Sequence, residues 1–359
     1  MSPLTKQLRK DLIIVMRLMI VFAVFGIITL ISVYKKNRVV TRELTDLQYY
    51  NITSDSTVEV RPCPDFYEDI THLIIPSLIT HNDSIFSVTG IADQAFERCQ
   101  RLKEVVLPES IINIGKHAFS SCYDLVKINI PNSVTTIKDG AFYGCNSLQS
   151  IELPDHLTCI SNFLFQSSGI KSIDIPIGVV EIGVYAFAFC DSLASIHIPN
   201  SVTTLGHCVF AHCGSLRHIE IPNSVTALPE SAFSGCGRLS KVNIPSSITH
   251  IEYSAFKQCG FRTIVIPDSV TSIDFWAFAY NYMTDTIFIP ISVTYINYFA
   301  FDECGLLRSS LLEPTIIVYE GTKEQWSQIY EDISCGDPTN GFDVHCADGV
   351  IKAVPPHDE

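Results

Sequence analysis

The sequence has none of the short motifs that carry common enzyme chemistry. It contains no glycine-rich phosphate loop, no His-Glu-x-x-His, no Gly-x-Ser-x-Gly and no Cys-x-x-Cys. Nucleotide-binding, zinc-protease, serine-hydrolase and dithiol signatures are therefore missing. Charged residues are also scarce, at 17% of 359 residues, whereas 47% are hydrophobic, which excludes a disordered chain. We predict a protein without catalytic residues, cofactor or bound metal.

Basic residues are few beyond the N-terminus. Residues 1–42 hold eight of the 24 Lys and Arg residues and one of the 38 acidic residues. The whole chain has a formal charge of −14, so the remainder carries −21. An acidic body repels phosphate backbones, and we expect no nucleic-acid partner.

One long hydrophobic run is present, at residues 12–34, and Arg17 is its only charge. As a helix it would span roughly 34 Å, enough to cross a bilayer. We predict that residues 1–34 form a cytoplasmic tail and a transmembrane anchor, because residues 32–36 make a poor site for signal-peptide cleavage. Basic residues flank the run on both sides and nearly balance the positive-inside rule. The short leading tail favours an extracytoplasmic body, and the opposite orientation stays open.

A phrase of 22 or 23 residues recurs along most of the chain. Proline ends one apolar stretch in each copy, at positions 108, 131, 154, 176, 199, 222, 245, 267 and 290. Phenylalanine recurs with the same spacing, at positions 96, 119, 142, 165, 187, 210, 233, 256, 278 and 301. A fixed period of this length predicts a solenoid, in which stacked coils bury a continuous core that one coil cannot form alone.

Each coil divides into three parts, as residues 125–145 illustrate. Leu125-x-x-Ile128-x-Ile130 alternates apolar and polar residues and predicts a strand, which the following proline closes. The next segment, Asn-Ser-Val-Thr-x-Ile, predicts a turn and a second short strand. Ala-Phe-x-x-Cys predicts a tight helical or 3₁₀ return, with Phe142 and Cys145 facing the core.

Eight of the 13 cysteines occupy the same position in their coils: 99, 122, 145, 190, 213, 236, 259 and 304. Ser168 and Asn281 take this position in the two remaining coils. This replacement argues against obligatory disulfides or a cysteine metal site, so we predict free, buried thiols. Cys335 and Cys346 are the one candidate disulfide pair.

The phrase Ile-Pro-Asn-Ser-Val-Thr-x-Ile followed by Ala-Phe-x-x-Cys-x-x-Leu resembles the BspA-type leucine-rich repeat. The resemblance covers about residues 70–312. It implies a strand-rich β/α solenoid, a right-handed leucine-rich-repeat superhelix of about ten coils. It also implies a surface protein that acts in adhesion or in binding host or matrix partners.

The domain boundaries follow from this pattern. We predict a linker at 35–60, an N-terminal cap and first repeat at 61–106, a solenoid at 107–312, a C-terminal cap at 313–351 and a disordered tail at 352–359. The first repeat carries an insert, predicted to form a hairpin at residues 77–86. A capping box at residues 322–325 predicts a short helix, with Trp326, Ile329, Tyr330 and Ile333 on one face.

The polar positions of the first strands form columns of outward-facing side chains, because adjacent strands lie about 4.8 Å apart. The predicted binding face comprises Lys127, Asn129, Glu152, Asp174, His197, His218, Glu220, Lys241 and Asn243. Its polar and acidic centre suits a polar or basic partner. A metal or acid–base site at His197, His218 and Glu220 is the enzymatic alternative.

Three functions are open at this point. The first is a membrane-anchored, non-catalytic recognition or adhesion module for a protein or glycan partner. The second is an inward-facing or periplasmic scaffold of the cell envelope, which differs only in topology. The third is a hydrolytic or metal-binding enzyme on the inner solenoid face.

Overall fold

The computed structural model describes residues 39–62, 69–297, 299–305, 315–329 and 342–353. The predicted anchor at residues 12–34 lies outside these ranges. Within them, no helix is long and apolar enough to cross a membrane. The anchor therefore stays a prediction.

The described residues form 23 short strands, one 3₁₀ helix at Leu47–Tyr49 and one α-helix. Strands β1 to β12 are Thr41–Glu43, Tyr50–Ser54, Thr57–Val60, His72–Ile74, Leu78–His81, Ser84–Ile91, Glu104–Val106, Asn113–Ile114, Lys127–Ile128, Thr136–Ile137, Cys159–Ile160 and Glu181–Ile182. Strands β13 to β23 are Thr204–Leu205, His218–Glu220, Lys241–Asn243, His250–Ile251, Thr263–Val265, Ser272–Ile273, Thr286–Ile289, Tyr295–Ile296, Ile316–Tyr319, Asp343–Cys346 and Gly349–Ile351. Helix α1 is Lys323–Ile329.

These strands stack as two parallel columns, one on each side of the coil. The first strand of a coil is the one that ends before proline, and successive first strands pair in register, as β4 with β7 and β7 with β9. The second strands pair in the same way, as β11 with β12 and β12 with β13. The predicted solenoid is confirmed, and its right-handed sense stays a prediction.

Ten phenylalanines, one from each coil, form a continuous stack through the core. Neighbouring ring centroids lie 5.2–5.8 Å apart, and every ring is at most 1% exposed. The stack runs through Phe96, Phe119, Phe142, Phe165, Phe187, Phe210, Phe233, Phe256, Phe278 and Phe301. The inward placement of phenylalanine is confirmed, and this burial is a main hydrophobic contribution to the fold.

The ladder cysteines are free and buried, as predicted. They also donate hydrogen bonds, a role that apolar burial alone does not predict. Each thiol from Cys122 onwards donates to the phenylalanine carbonyl of the preceding coil, with sulfur–oxygen distances of 3.1–3.2 Å. Asn281 stands where another coil has cysteine, and its amide donates to the Phe256 carbonyl at 2.9 Å. The ladder position from Cys122 onwards therefore supplies a donor to a buried carbonyl, except at Ser168, whose hydroxyl lies 3.5 Å from Cys190 Sγ.

The return segments are hydrogen-bonded turns, so the predicted helical or 3₁₀ return is wrong. The N–H groups of His117, Phe119 and Ser121 donate to carbonyls of the next coil at 2.7–2.9 Å. In each coil the residues two before and two after the core phenylalanine have positive φ, such as 53° at His117 and 59° at Ser121. The positive φ values on both sides of the phenylalanine turn every second N–H of the segment towards the next coil. In a helix, by contrast, the N–H groups all point along the axis of the helix itself. The coils are thus β-strand and turn rather than β/α.

The N-terminal cap begins earlier than predicted. Residues 41–60, assigned above to a linker, form β1, β2 and β3, and β3 pairs with β6 of the first coil. The alternation at β3 explains the correction, since Val58 and Val60 are fully buried. The predicted hairpin in the insert is confirmed, because β5 and β6 pair antiparallel through a turn at Asn82 and Asp83.

The C-terminal cap closes the other end of the array. The capping box is confirmed, since the Thr322 N–H donates to Gln325 Oε1 at 2.8 Å and the Gln325 N–H to Thr322 Oγ1 at 3.3 Å. Trp326 is 1% exposed and packs against Tyr319, with ring centroids 5.3 Å apart. Tyr330, Ile333 and Cys335 lie outside the described residues, so the end of this helix face and the pairing of Cys335 with Cys346 stay predictions.

Candidate functional site: the first-strand face

The solvent side of the first strands, here called the first-strand face, carries all nine residues of the predicted binding face. Every one of them is exposed. Strand register places them in two columns: His218 pairs with Lys241, Glu220 with Asn243, and Asp174 with His197. The face can therefore present a row of polar groups at intervals of about 4.8 Å.

The N-terminal part of the face is internally paired. Lys127 Nζ lies 2.9 Å from Glu104 Oε1, and His72 Nε2 lies 3.8 Å from Glu104 Oε2. The hydrogen bond from Lys127 lowers the pKa of the Glu104 carboxyl. Asn129 also turns back to its neighbour, where its amide accepts from the Leu107 N–H at 2.8 Å and donates to the Leu107 carbonyl at 2.9 Å. Lys127 and Asn129 therefore have structural partners within the protein.

The central part is acidic and lacks such pairing. Glu152 and Asp174 occupy the first-strand position of successive coils, and within the described ranges neither side chain makes a hydrogen bond or an ion pair. Two overlapping clefts, of about 640 and 740 Å³, lie over this part of the face. Asn129, Glu152 and Asp174 line both. This is the region where the face has free acceptor groups and space for a ligand.

Of the three residues in the enzymatic alternative, the structure brings together His218 and Glu220. His218 Nε2 lies 3.4 Å from Glu220 Oε1, and His218 Nδ1 lies 3.4 Å from the Lys241 carbonyl oxygen. Within the described residues, the side chain of His197 forms no hydrogen bond or ion pair with His218 or Glu220. No group of three or more His, Cys, Asp or Glu side chains in the described part could hold a metal ion.

The C-terminal part of the face is apolar. Val265 is 63% exposed and pairs in register with Phe288, which is 42% exposed. Sequence columns already showed this change in polarity. They did not show that the backbone ladder is interrupted beside Val265. Strands β15 and β17 both lie in a fully described region, and no strand pairing joins them.

Known proteins share this architecture. The family model for the BspA type leucine-rich repeat region matches in overlapping segments at residues 78–182, 159–284 and 204–320. The chain belongs to the BspA-type leucine-rich repeat family. A leucine-rich repeat protein from Bacteroides ovatus is 31% identical, with a TM-score of 0.68, over 75% of this chain and 69% of that protein. This likeness confirms the resemblance drawn from the repeat phrase.

A second solved structure, a leucine-rich cell surface protein from Faecalibacterium prausnitzii, is 25% identical over 79% of this chain and 96% of its own, with a TM-score of 0.46. No curated protein sequence matches the chain. Membership of the BspA-type family supports a surface that binds proteins, and the residues that bind are a matter for proposal.

Proposed function

We propose that this protein is a membrane-anchored, non-catalytic recognition or adhesion module that binds a protein or glycan partner on its first-strand face. The body lies outside the cytoplasm, held by residues 12–34. The partner is polar or basic where it meets the central part of the face.

One observation carries the proposal: the acidic cleft around Glu152 and Asp174. Both carboxylates are exposed, and in the described structure neither is satisfied by a neighbouring side chain. Acidic residues in the N-terminal part of the same face are different, since Glu104 already bonds Lys127. Free charge in a cleft of about 640 Å³ is available to a ligand, and complementary charge increases both specificity and the rate of association.

Binding to cell-surface and matrix extracts tests the proposal. A soluble form that begins at residue 39 keeps β1, and we expect it to bind such extracts saturably. The double variant Glu152→Gln/Asp174→Asn should weaken this binding at least tenfold.

The matched control is Asp191→Asn/Glu252→Gln, which removes two exposed acids outside the first strands. It should bind as the parent does. An equal loss in both variants would show a general charge effect, and no binding to a broad protein and glycan panel would refute the recognition module.

The envelope scaffold is the second candidate, and it differs only in which side of the membrane holds the body. Protease treatment of intact cells decides between them, with an epitope tag placed after Glu359. We expect the tagged body to be cleaved without lysis. Protection until the membrane is broken would favour the scaffold.

The enzymatic candidate is tested at the histidines. We expect His197→Ala/His218→Ala to change neither metal content nor hydrolytic activity. The reason is that His218 is held by Glu220 and the Lys241 carbonyl, with no third ligand nearby. Metal or activity lost in this variant would contradict the non-catalytic proposal.

A further inference from the structure

Two coils of the array are one residue short. At the start of each one, the apolar residue before the closing proline is more exposed than in the other coils. The closing prolines lie 23 residues apart except from 154 to 176 and from 245 to 267, where the interval is 22. The apolar residue before each proline is half-buried at Leu153 and Ile244, directly ahead of the two short intervals. In the other coils it is at most 9% exposed: Leu107, Ile130, Ile175, Ile198, Ile221, Ile266 and Ile289.

The missing residue shifts the start of the first strand at the second of these places. Cys236 precedes β15 by five positions, whereas Cys259 precedes β17 by four. The turn that follows Cys236 has no counterpart after Cys259. Strand β17 therefore starts one residue earlier after its ladder cysteine than β15 does after Cys236.

Backbone hydrogen bonds between β15 and β17 are missing, as they also are between β9 and the next coil, where the proline interval is 23 residues. The Ile221 N–H donates to the Asn243 carbonyl at 3.4 Å, and the Ile266 N–H donates to the Phe288 carbonyl at 3.0 Å. The equivalent bond from Ile244 to Val265 is not formed, although both coils are described in full. Polar backbone groups thus face the gap from both sides.

A recess of about 150 Å³ occupies this gap. Val242, Ile244, Phe261, Ile264 and Phe278 form its apolar walls, and Ser240, Lys241 and Thr263 contribute polar groups to its lining. Valine at 242 is one methylene smaller than the isoleucine found at this position in most coils. An apolar cavity of about this volume is known to accept benzene. The recess therefore has room for a single six-membered ring.

We propose that this recess binds one aromatic side chain of a polypeptide partner. The partner's backbone beside that residue hydrogen-bonds the free edges of β15 and β17, which is why a polypeptide fits better than a free ring. Exposed Val265 and Phe288 extend the apolar surface next to the recess. The inference rests on the proposed recognition function and gives it an anchor residue in a pocket.

The probe is the uncharged peptide acetyl-Ser-Gly-(4-fluorophenylalanine)-Gly-Ser-amide, followed by fluorine NMR with the full chain. We expect its signal to broaden on binding. The same peptide with phenylalanine should compete, and the peptide with alanine should not compete at a tenfold higher concentration. Fluorobenzene serves as the free-ring probe.

Variants locate the binding site. Val242→Phe fills the recess and should weaken binding of the peptide at least tenfold. Val106→Phe makes the same change at an exposed position of the same face and should leave binding unchanged. If Val242→Phe does not fold, Val242→Ile adds a single methylene and should still weaken binding at least threefold.

Each other outcome overturns the proposal. Equal binding by the Val242 variants and the parent would place the peptide elsewhere. If fluorobenzene bound and the peptide did not, the recess would be a small-molecule cavity. If neither bound, the recess would be too closed to admit a ring. Because the probe has no charge, Glu152→Gln/Asp174→Asn should not affect it. Failure here would therefore leave the acidic-cleft test unaffected.

Discussion

The two sides of each coil differ in how regular they are. On the turn side, the phenylalanine stack and the thiol bonds repeat from coil to coil with nearly constant geometry. On the first-strand side, the ladder ends at β9, is reduced to a single bridge between Asp174 and His197 before β14, and is interrupted again between β15 and β17. One side of the coil thus holds the array together, and the other is free to vary in charge, polarity and backbone contact.

This division separates stability from recognition. A solenoid is stabilised by interfaces between neighbouring coils, so a repeated core on one side is sufficient to hold the array. Substitutions and single deletions on the other side can then create clefts at low cost. We expect the size of a mutational effect on folding to depend mainly on the side of the coil that carries the change.

The largest effect is expected from breaking the phenylalanine stack. Phe142→Ala leaves a cavity between the rings of Phe119 and Phe165 and should lower the free energy of unfolding by about 3–5 kcal/mol. Loss of coupling between coils can broaden the transition as well. Urea unfolding followed by circular dichroism measures both.

Phe288→Ala is the matched control for this prediction. It makes the same change on the first-strand face, where the ring is 42% exposed. We expect a cost of less than about half that of Phe142→Ala, because little cavity forms at an exposed site. Similar costs for both variants would show that the two sides contribute equally to stability.

A smaller effect is expected at the thiol ladder. Cys213→Ala removes the donor to the Phe187 carbonyl and a small buried volume, which should cost about 1–2 kcal/mol. Cys159→Ala, at an exposed cysteine, should cost less than about 0.5 kcal/mol. If the two variants melt alike, the bond from thiol to carbonyl contributes nothing measurable.

The buried thiols also predict a pH dependence of folding. Burial raises the pKa of the Cys145 and Cys304 thiols from 9.0 to about 12. A raised pKa in the folded state gives stability that is complete below pH 9 and is lost as pH rises towards 12. We expect the melting temperature to fall steadily between pH 9 and 11. A flat profile over this range would show that the thiols ionise without unfolding the coils.

Much of the turn side could be predicted from the sequence, because a period of 22 or 23 residues assigns Phe142 and Cys145 to the same place in every coil. The return turn was harder, since positive φ at residues such as His117 is not visible in a pattern of apolar positions. The apolar recess was also missed, although its signal is present: the interval from Pro245 to Pro267 is one residue short. Its consequence depends on strand offset, which spacing alone does not give.

The smallest effect on stability is expected at the paired charges of the first-strand face. Lys127 is 74% exposed, so Lys127→Ala should lower the free energy of unfolding by less than about 1 kcal/mol. The pKa of Glu104 should rise in this variant, since the hydrogen bond from Lys127 is what lowers it. A lowered folded-state pKa gives stability above the unfolded value, so the difference between variant and parent should vanish in acid.

NMR titration of the Glu104 carboxyl and urea unfolding at neutral and acidic pH measure these two changes. Lys241→Ala is the control, because Lys241 forms no ion pair among the described residues, and it should change neither quantity. A cost at Lys127 comparable with that at Cys213 would mean that the N-terminal part of the face is built for stability. Recognition would then be confined to the central and C-terminal parts, where the acidic groups are unpaired and the sheet is open.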